Sequence, residues 1–255
     1  MELDFVIPAH KPTPGWEVYA LARIESLIAL WDGMHPEDRL QIRIFVAPDA
    51  SPFGHEAAVR RFWAESPHPA VYVDYDSNRG KGAALRAAMA LSDAPMVVYT
   101  DWDIPYTESS MVALLETLGA GADVVLAERE RATYRDALPF GRKVLTQISH
   151  LLNGVFLALP RTDTQGGLKG MNERGRAAFM RTQIDRFLFD TEFIAYAVRM
   201  GLSVRSVEAR IREGVRSSHY SPRTLLRELP GLVRLFHARW LAPRQPRERS
   251  SGGQS

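Results

Sequence analysis

The chain has 255 residues, 45% of them hydrophobic and 24% charged, and no cysteine. That size and composition suit one large α/β domain or two small ones; they exclude a disulfide scaffold, a cysteine-ligated zinc site and thiol catalysis. Thirty-two basic against thirty acidic residues leave a net charge of +2, too balanced to imply a nucleic-acid partner, although the chain carries +7 from Arg205 onward and −5 before it.

The N-terminus has no basic leader or cleavage site and enters an apolar stretch, Leu3 to Ile7. Further strand-type runs are Ile42 to Ala47, Val71 to Tyr75, Met96 to Thr100 and Val124 to Ala127. Helical patterns lie between them near 17–31, 55–65, 81–91 and 108–119. This alternation predicts βαβ units and a mostly parallel sheet covered on both faces. Such sheets bind ligands beyond the carboxyl ends of their strands.

Pro139 opens a helical pattern that reaches 158, and a polar stretch covers 161–167. Helical patterns follow at 173–182 and 190–200, with a strand near 203–211. A last pattern, 222–241, sets Leu225, Leu229, Leu232, Phe236 and Trp240 at helical spacing around Pro230. With Arg223, Arg227, Arg234 and Arg239 it reads either as an interfacial helix on anionic lipid or as a core-packed helix with a basic outer face. Residues 242–255 read as a disordered tail. No stretch approaches the roughly 20 apolar residues of a membrane span. The expected location is cytoplasmic, with peripheral contact to the inner face of the cell membrane.

The turns after the strands carry the chemistry. Asp101-Trp102-Asp103 follows an apolar strand, and two carboxylates at that spacing can converge on Mn2+ or Mg2+ facing a diphosphate. An N-cap beside a solvated carboxylate explains the same residues. Asn78-Arg79-Gly80-Lys81-Gly82 opens a helix. Its glycines permit close backbone approach and its helix terminus favours anions, with Lys81 near a phosphate or a sugar hydroxyl. A plain glycine-rich helix start is the alternative. Neither an ATPase phosphate loop nor a dinucleotide-binding glycine turn is present.

In order, Val6-Ile7-Pro8-Ala9, Asp49-Ala50-Ser51, Asn78 to Gly82, Tyr99 to Asp103, Asp163-Thr164-Gln165-Gly166-Gly167-Leu168-Lys169 and Phe189-Asp190-Thr191-Glu192 resemble the inverting family 2 glycosyltransferases. The likeness covers roughly 3–235 and is greatest to the enzymes that make dolichyl- or polyprenyl-phosphate glucose and mannose. It implies a GT-A fold, the Rossmann-like nucleotide-diphospho-sugar transferase architecture, as one domain over 1–241. Its nucleotide and metal half would be about 1–128, its acceptor half 129–220 and its terminal amphipathic helix 221–241.

The resemblance further implies that Pro8, Ala9 and Asp49 line the base pocket and that Lys81 sits near base or ribose. Asp101 and Asp103 would hold the metal on the donor diphosphate, with His219 completing its shell by position. Arg129, Arg131, Arg142 and Lys143 would bind the acceptor phosphate. Asp163, Gln165 and Lys169 would lie on the sugar side, and Asp190 and Glu192 near the acceptor. The chain departs from the family at His10-Lys11-Pro12, at Pro48-Asp49 and at Gly166-Gly167.

The implied partners are a nucleotide-diphosphate sugar of the UDP-glucose or GDP-mannose type and a polyprenyl phosphate. A phosphate acceptor is mostly dianionic at pH 7 and needs no base. A soluble hydroxyl acceptor would require one, from Asp163, Asp190 or Glu192. Asp190 also reads as the N-cap of the following helix, and the arginine run as a charged loop offset by Glu128, Glu130 and Asp136. A non-catalytic nucleotide-sugar or lipid-phosphate binder on the same fold is the remaining alternative.

Overall fold

The computed structural model describes residues 1–48, 54–74, 78–129, 166–186 and 188–212. In chain order the elements are β1 (Glu2–Ala9), α1 (Trp16–Met34), β2 (Gln41–Pro48), α2 (Glu56–Ala64), β3 (Ala70–Tyr72), α3 (Lys81–Ala90), β4 (Met96–Tyr99), α4 (Glu108–Gly119), β5 (Val124–Arg129), β6 (Lys169–Asn172), α5 (Glu173–Phe179), α6 (Phe189–Arg199) and β7 (Val204–Ala209). The strands form one seven-stranded sheet in the order β3-β2-β1-β4-β6-β5-β7. All neighbours pair in parallel except β6, which runs antiparallel to both β4 and β5.

The strand period of two divides the core between the faces. Phe5, Ile7, Ile44 and Val46 pack with α1, α2 and α4 on one face. Val6, Phe45 and Ala47 pack with α3, α5 and α6 on the other. One polar pair interrupts this pattern. Buried Asp4 lies opposite Arg43 across the β1–β2 ladder and accepts two hydrogen bonds from it, at 2.8 and 2.7 Å.

Several expectations change in detail. β3 is three residues long rather than reaching Tyr75. Glu128 and Arg129, expected in a turn, extend β5 and pair with Glu208 and Ala209 of β7. Strand β6 was not expected at all. Its Gly170 lies under α4, where a Cβ would come within 2.5 Å of Leu114 and 2.7 Å of Leu118. Asp190 is not an N-cap: Leu188 holds that position and Asp190 stands in the first turn of α6.

The patterns at 139–158 and 222–241 and the tail at 242–255 lie outside the described residues. Among the described residues no helix is long and apolar enough to cross a membrane.

Candidate functional site

The carboxyl ends of β1, β2 and β4 meet on one edge of the sheet, as the parallel pairing requires. Pro8 and Ala9 end β1 there, buried and in register with Ala47 and Pro48. Asp101, Trp102 and Asp103 follow β4 as a half-buried turn, closed by the Ile104 amide donating to the Asp101 carbonyl at 2.9 Å. Trp102 stacks edge-on against Trp16 at 6.4 Å, and Trp16 lies 6.0 Å from Trp63. The middle residue thus anchors the turn in an aromatic cluster.

Ile104 has φ +36 and is fully buried. A β-branched residue rarely adopts that backbone, so the turn is held under strain. The restraint comes from the chain beyond β7. Thr107 donates to the Arg210 carbonyl, the Arg212 amide to the Pro105 carbonyl, and Arg212 Nε to the Tyr106 carbonyl.

Because β6 is antiparallel, its first residue arrives at this same edge, with Lys169 opposite Tyr99. Lys169 is fully buried, and its Nζ lies 2.8 Å from Asp190 Oδ1 and donates to the Gly166 carbonyl at 2.6 Å. Tyr99 donates its hydroxyl to the same Asp190 oxygen at 2.5 Å. Burial, with the neighbouring Asp190 charge and hydrogen bond, pushes the Tyr99 phenol well above its ordinary range, so it stays protonated and donating.

Lys81, the first residue of α3, places Nζ 2.5 Å from Asp101 Oδ1. The other oxygen, Oδ2, rests on Gly167, where a Cβ would come within 2.4 Å of it. The Gly167 amide donates to Tyr106 Oη at 2.9 Å. Asp101 and Asp103 supply only oxygen donors, which fits a hard divalent cation. The missing Cβ at Gly167 is what admits the Asp101 carboxylate against that backbone. Among the described residues no cluster of three or more acidic, histidine or cysteine side chains is assembled.

The glycine-rich turn is occupied by protein. The Gly82 amide donates to the Asp185 carbonyl at 2.8 Å, and a Cβ there would meet the Ile184 carbonyl at 2.7 Å and Phe189 Cβ at 2.8 Å. The 184–185 backbone takes this close approach. Arg79 and Arg86 both pair with Asp185 on the same segment. Glu192 Oε2 accepts from the Gln183 and Ile184 amides, each at 2.8 Å, and so fastens that segment to α6.

Of the sequence-derived site residues, the structure thus gathers Lys81, Asp101, Asp103, Lys169 and Asp190 beside the ends of β1 and β4. Arg129 is the last residue of β5. Asp49, Arg131, Arg142, Lys143, Asp163, Gln165 and His219 lie outside the described residues. Tyr99, Tyr106 and Ile104 were not singled out. Only the position of Tyr99 two residues before Asp101 on an apolar strand hinted at a buried hydroxyl near the site.

Residues 4–189 match the family model for glycosyl transferase family 2. No curated protein sequence matches the chain. Among solved structures, the chain is similar to glucosyl-3-phosphoglycerate synthase from Mycobacterium tuberculosis in complex with Mn2+, UDP-glucose and phosphoglyceric acid, with 16% identity over 94% of this chain and 80% of that one and a TM-score of 0.59. It is also similar to mannosyl-3-phosphoglycerate synthase from Rubrobacter xylanophilus, with 17% identity over 100% and 80% and a TM-score of 0.58. At these identities the likeness is one of fold.

Proposed function

The chain belongs to glycosyl transferase family 2 and is a glycosyltransferase, and from that premise we propose that it moves a hexose from a UDP- or GDP-linked donor to a polyprenyl or dolichyl phosphate with inversion at C1. Pro8, Ala9 and Asp49 line the base, and Lys81 lies beside the donor. Asp101 and Asp103 hold a divalent cation, Mn2+ or Mg2+, with His219 as a further ligand. Bound there, the ion supplies positive charge to the departing diphosphate.

In the displacement an acceptor phosphate oxygen forms the new bond to C1. The bond from C1 to the diphosphate breaks, and its electron pair leaves with the nucleoside diphosphate. A dianionic phosphate brings its own nucleophilic oxygen. The chain has only to orient it, a task for Arg129, Arg131, Arg142 and Lys143. Gln165 and Asp163 lie on the sugar side.

The observation that carries the phosphate acceptor is the engagement of both acidic side chains of α6. Asp190 accepts from Tyr99 and pairs with Lys169, and Glu192 accepts two backbone amides. A nucleophile that needs no base suits such a site. A soluble acceptor is the second reading, favoured by the phosphoglyceric acid in the fold neighbour; if its nucleophile is a hydroxyl, Asp163 is the carboxylate left to serve as base.

The test offers radiolabelled UDP-glucose or GDP-mannose with Mn2+, and either undecaprenyl phosphate or 3-phosphoglycerate. Label is expected in the organic phase with the lipid, falling more than about 100-fold in Asp101→Asn, since metal stabilisation of the transition state is worth several kcal/mol. Water-soluble product formed with 3-phosphoglycerate alone would replace the lipid by the soluble acceptor. Donor binding without single-turnover cleavage would leave a nucleotide-sugar binder.

A further inference from the structure

Taken as a cation ligand, Asp101 is held by Lys81 at one carboxylate oxygen, and its other oxygen rests on a turn that is itself supported from beneath. Three side chains distant in sequence meet on one face of the sheet: Tyr99 from β4, Lys169 from β6 and Asp190 from α6. All three are buried, and the Tyr99 ring packs against Phe179 and Phe189. An uncharged side chain of similar length would fill the place of Lys169 at lower desolvation cost. The ammonium brings donors that an aliphatic chain lacks. One reaches Asp190 and another turns back three residues to the Gly166 carbonyl.

That carbonyl belongs to the turn on which Asp101 rests. Gly167 follows it directly and is held from the other side by the hydrogen bond its amide donates to Tyr106 Oη. Asp101 Oδ2 and Cγ lie where a Cβ on Gly167 would come within 2.4 and 3.3 Å. A shift of this turn by a fraction of an ångström therefore moves the carboxylate. We infer that Lys169 is a positioning residue for Asp101: anchored by Asp190, it fixes the Gly166–Gly167 backbone that sets where the Asp101 carboxylate sits. Lys169 itself stands behind the turn and acts through it.

The inference rests on the proposed cation site, so wild type and Asp101→Asn come first. Mn2+ alone is titrated into the intact chain and free ion is followed by its EPR signal, with thermal midpoints recorded in parallel. Binding by wild type and its loss in Asp101→Asn upholds the site. Absence of binding by wild type overturns the site, and the inference falls with it.

Lys169→Met leaves Asp190 buried without its cation and should lower both the midpoint and Mn2+ affinity. Lys169→Met/Asp190→Asn removes the pair together. If the lysine serves only to neutralise Asp190, the double variant recovers both quantities. The inference expects the midpoint to recover while Mn2+ affinity stays about 10- to 100-fold low, as for loss of a group that orients a metal ligand. Gly167→Ala keeps the buried pair whole and presses only on the Asp101 carboxylate. It should hold the wild-type midpoint and lose Mn2+ affinity to a similar degree. Wild-type affinity in Gly167→Ala, or its full recovery in the double variant, overturns the inference while the cation site stands.

Discussion

The two ends of β6 use one device for different purposes. At its start an aspartate from α6 pairs with Lys169; at its finish Asp123, just ahead of β5, accepts from Asn172 Nδ2 at 2.9 Å, from the Ser203 amide at 2.8 Å and from Arg174 at 3.3 Å. Both aspartates are buried. Beyond Asn172 the chain enters α5, which Asn172 caps by accepting from the Gly175 amide at 3.0 Å. Asp123 therefore joins β6, β7 and a helix start into scaffold. Beyond Lys169, toward the N-terminus, lies the turn under Asp101. A buried carboxylate secures the strand at either end, and what lies past the strand decides whether the site feels it.

The widest separation between the two ends is expected from Asp123→Ala. It strips the acceptor from two amides and a guanidinium, and buried donors left unpaired cost about 1–3 kcal/mol each. A total of roughly 2–4 kcal/mol lowers the thermal midpoint by about 5–15 °C in a domain of this size. Mn2+ affinity of the folded variant should stay within about twofold of wild type. An equal loss of metal affinity would show that both ends act on the site, and the distinction would fail.

Gly82→Ala asks the same question of the glycine-rich turn. Its Cβ would press on the Ile184 carbonyl and on Phe189. Overpacking of this kind costs about 1–3 kcal/mol, readable as a lower urea midpoint at unchanged slope. A turn shaped for packing against 184–185 predicts lost stability with UDP or GDP affinity retained. A turn shaped for a phosphate predicts the reverse.

Much of this architecture was legible in the sequence because it rests on apolar runs. β1, β2, β4 and β5 are such runs, and their polar sequels mark the carboxyl edge and place Asp101, Asp103 and Lys81 on it. β6 was not legible. Lys169-Gly170-Met171-Asn172 has neither an apolar run nor alternation, and it is a strand because Gly170 admits α4 and Asn172 starts α5. Missing β6 also hid the link between Tyr99, Lys169 and Asp190. Nothing local tells that an antiparallel strand inserted between β4 and β5 sets residue 169 opposite residue 99. The close packing of Gly82 was hidden for a similar reason, since its neighbours at 184–185 come from about a hundred residues away.

A third aspartate pair removes burial from the comparison and carries the smallest expected effect. Arg60 grips Asp74 with two hydrogen bonds, at 2.9 and 2.6 Å, and lies 4.2 Å from the Tyr72 ring centroid. This geometry is bidentate, yet Asp74 is 67% exposed and Arg60 51%. Solvent screening keeps such pairs to about 0.2–1 kcal/mol, so Asp74→Asn should cost less than about 1 kcal/mol at pH 7. The Arg60 hydrogen bond holds the Asp74 carboxyl below its ordinary value. A carboxyl depressed in the folded state contributes above its unfolded pKa, near 4, and the contribution fades as pH falls through the lower folded value. Wild type and Asp74→Asn should therefore differ by a constant small amount from about pH 5 to 7 and converge below about pH 4. A cost near that of Asp123→Ala would mean that bidentate geometry, rather than burial, sets the worth of these pairs, and the contrast between the ends of β6 would then need a different cause.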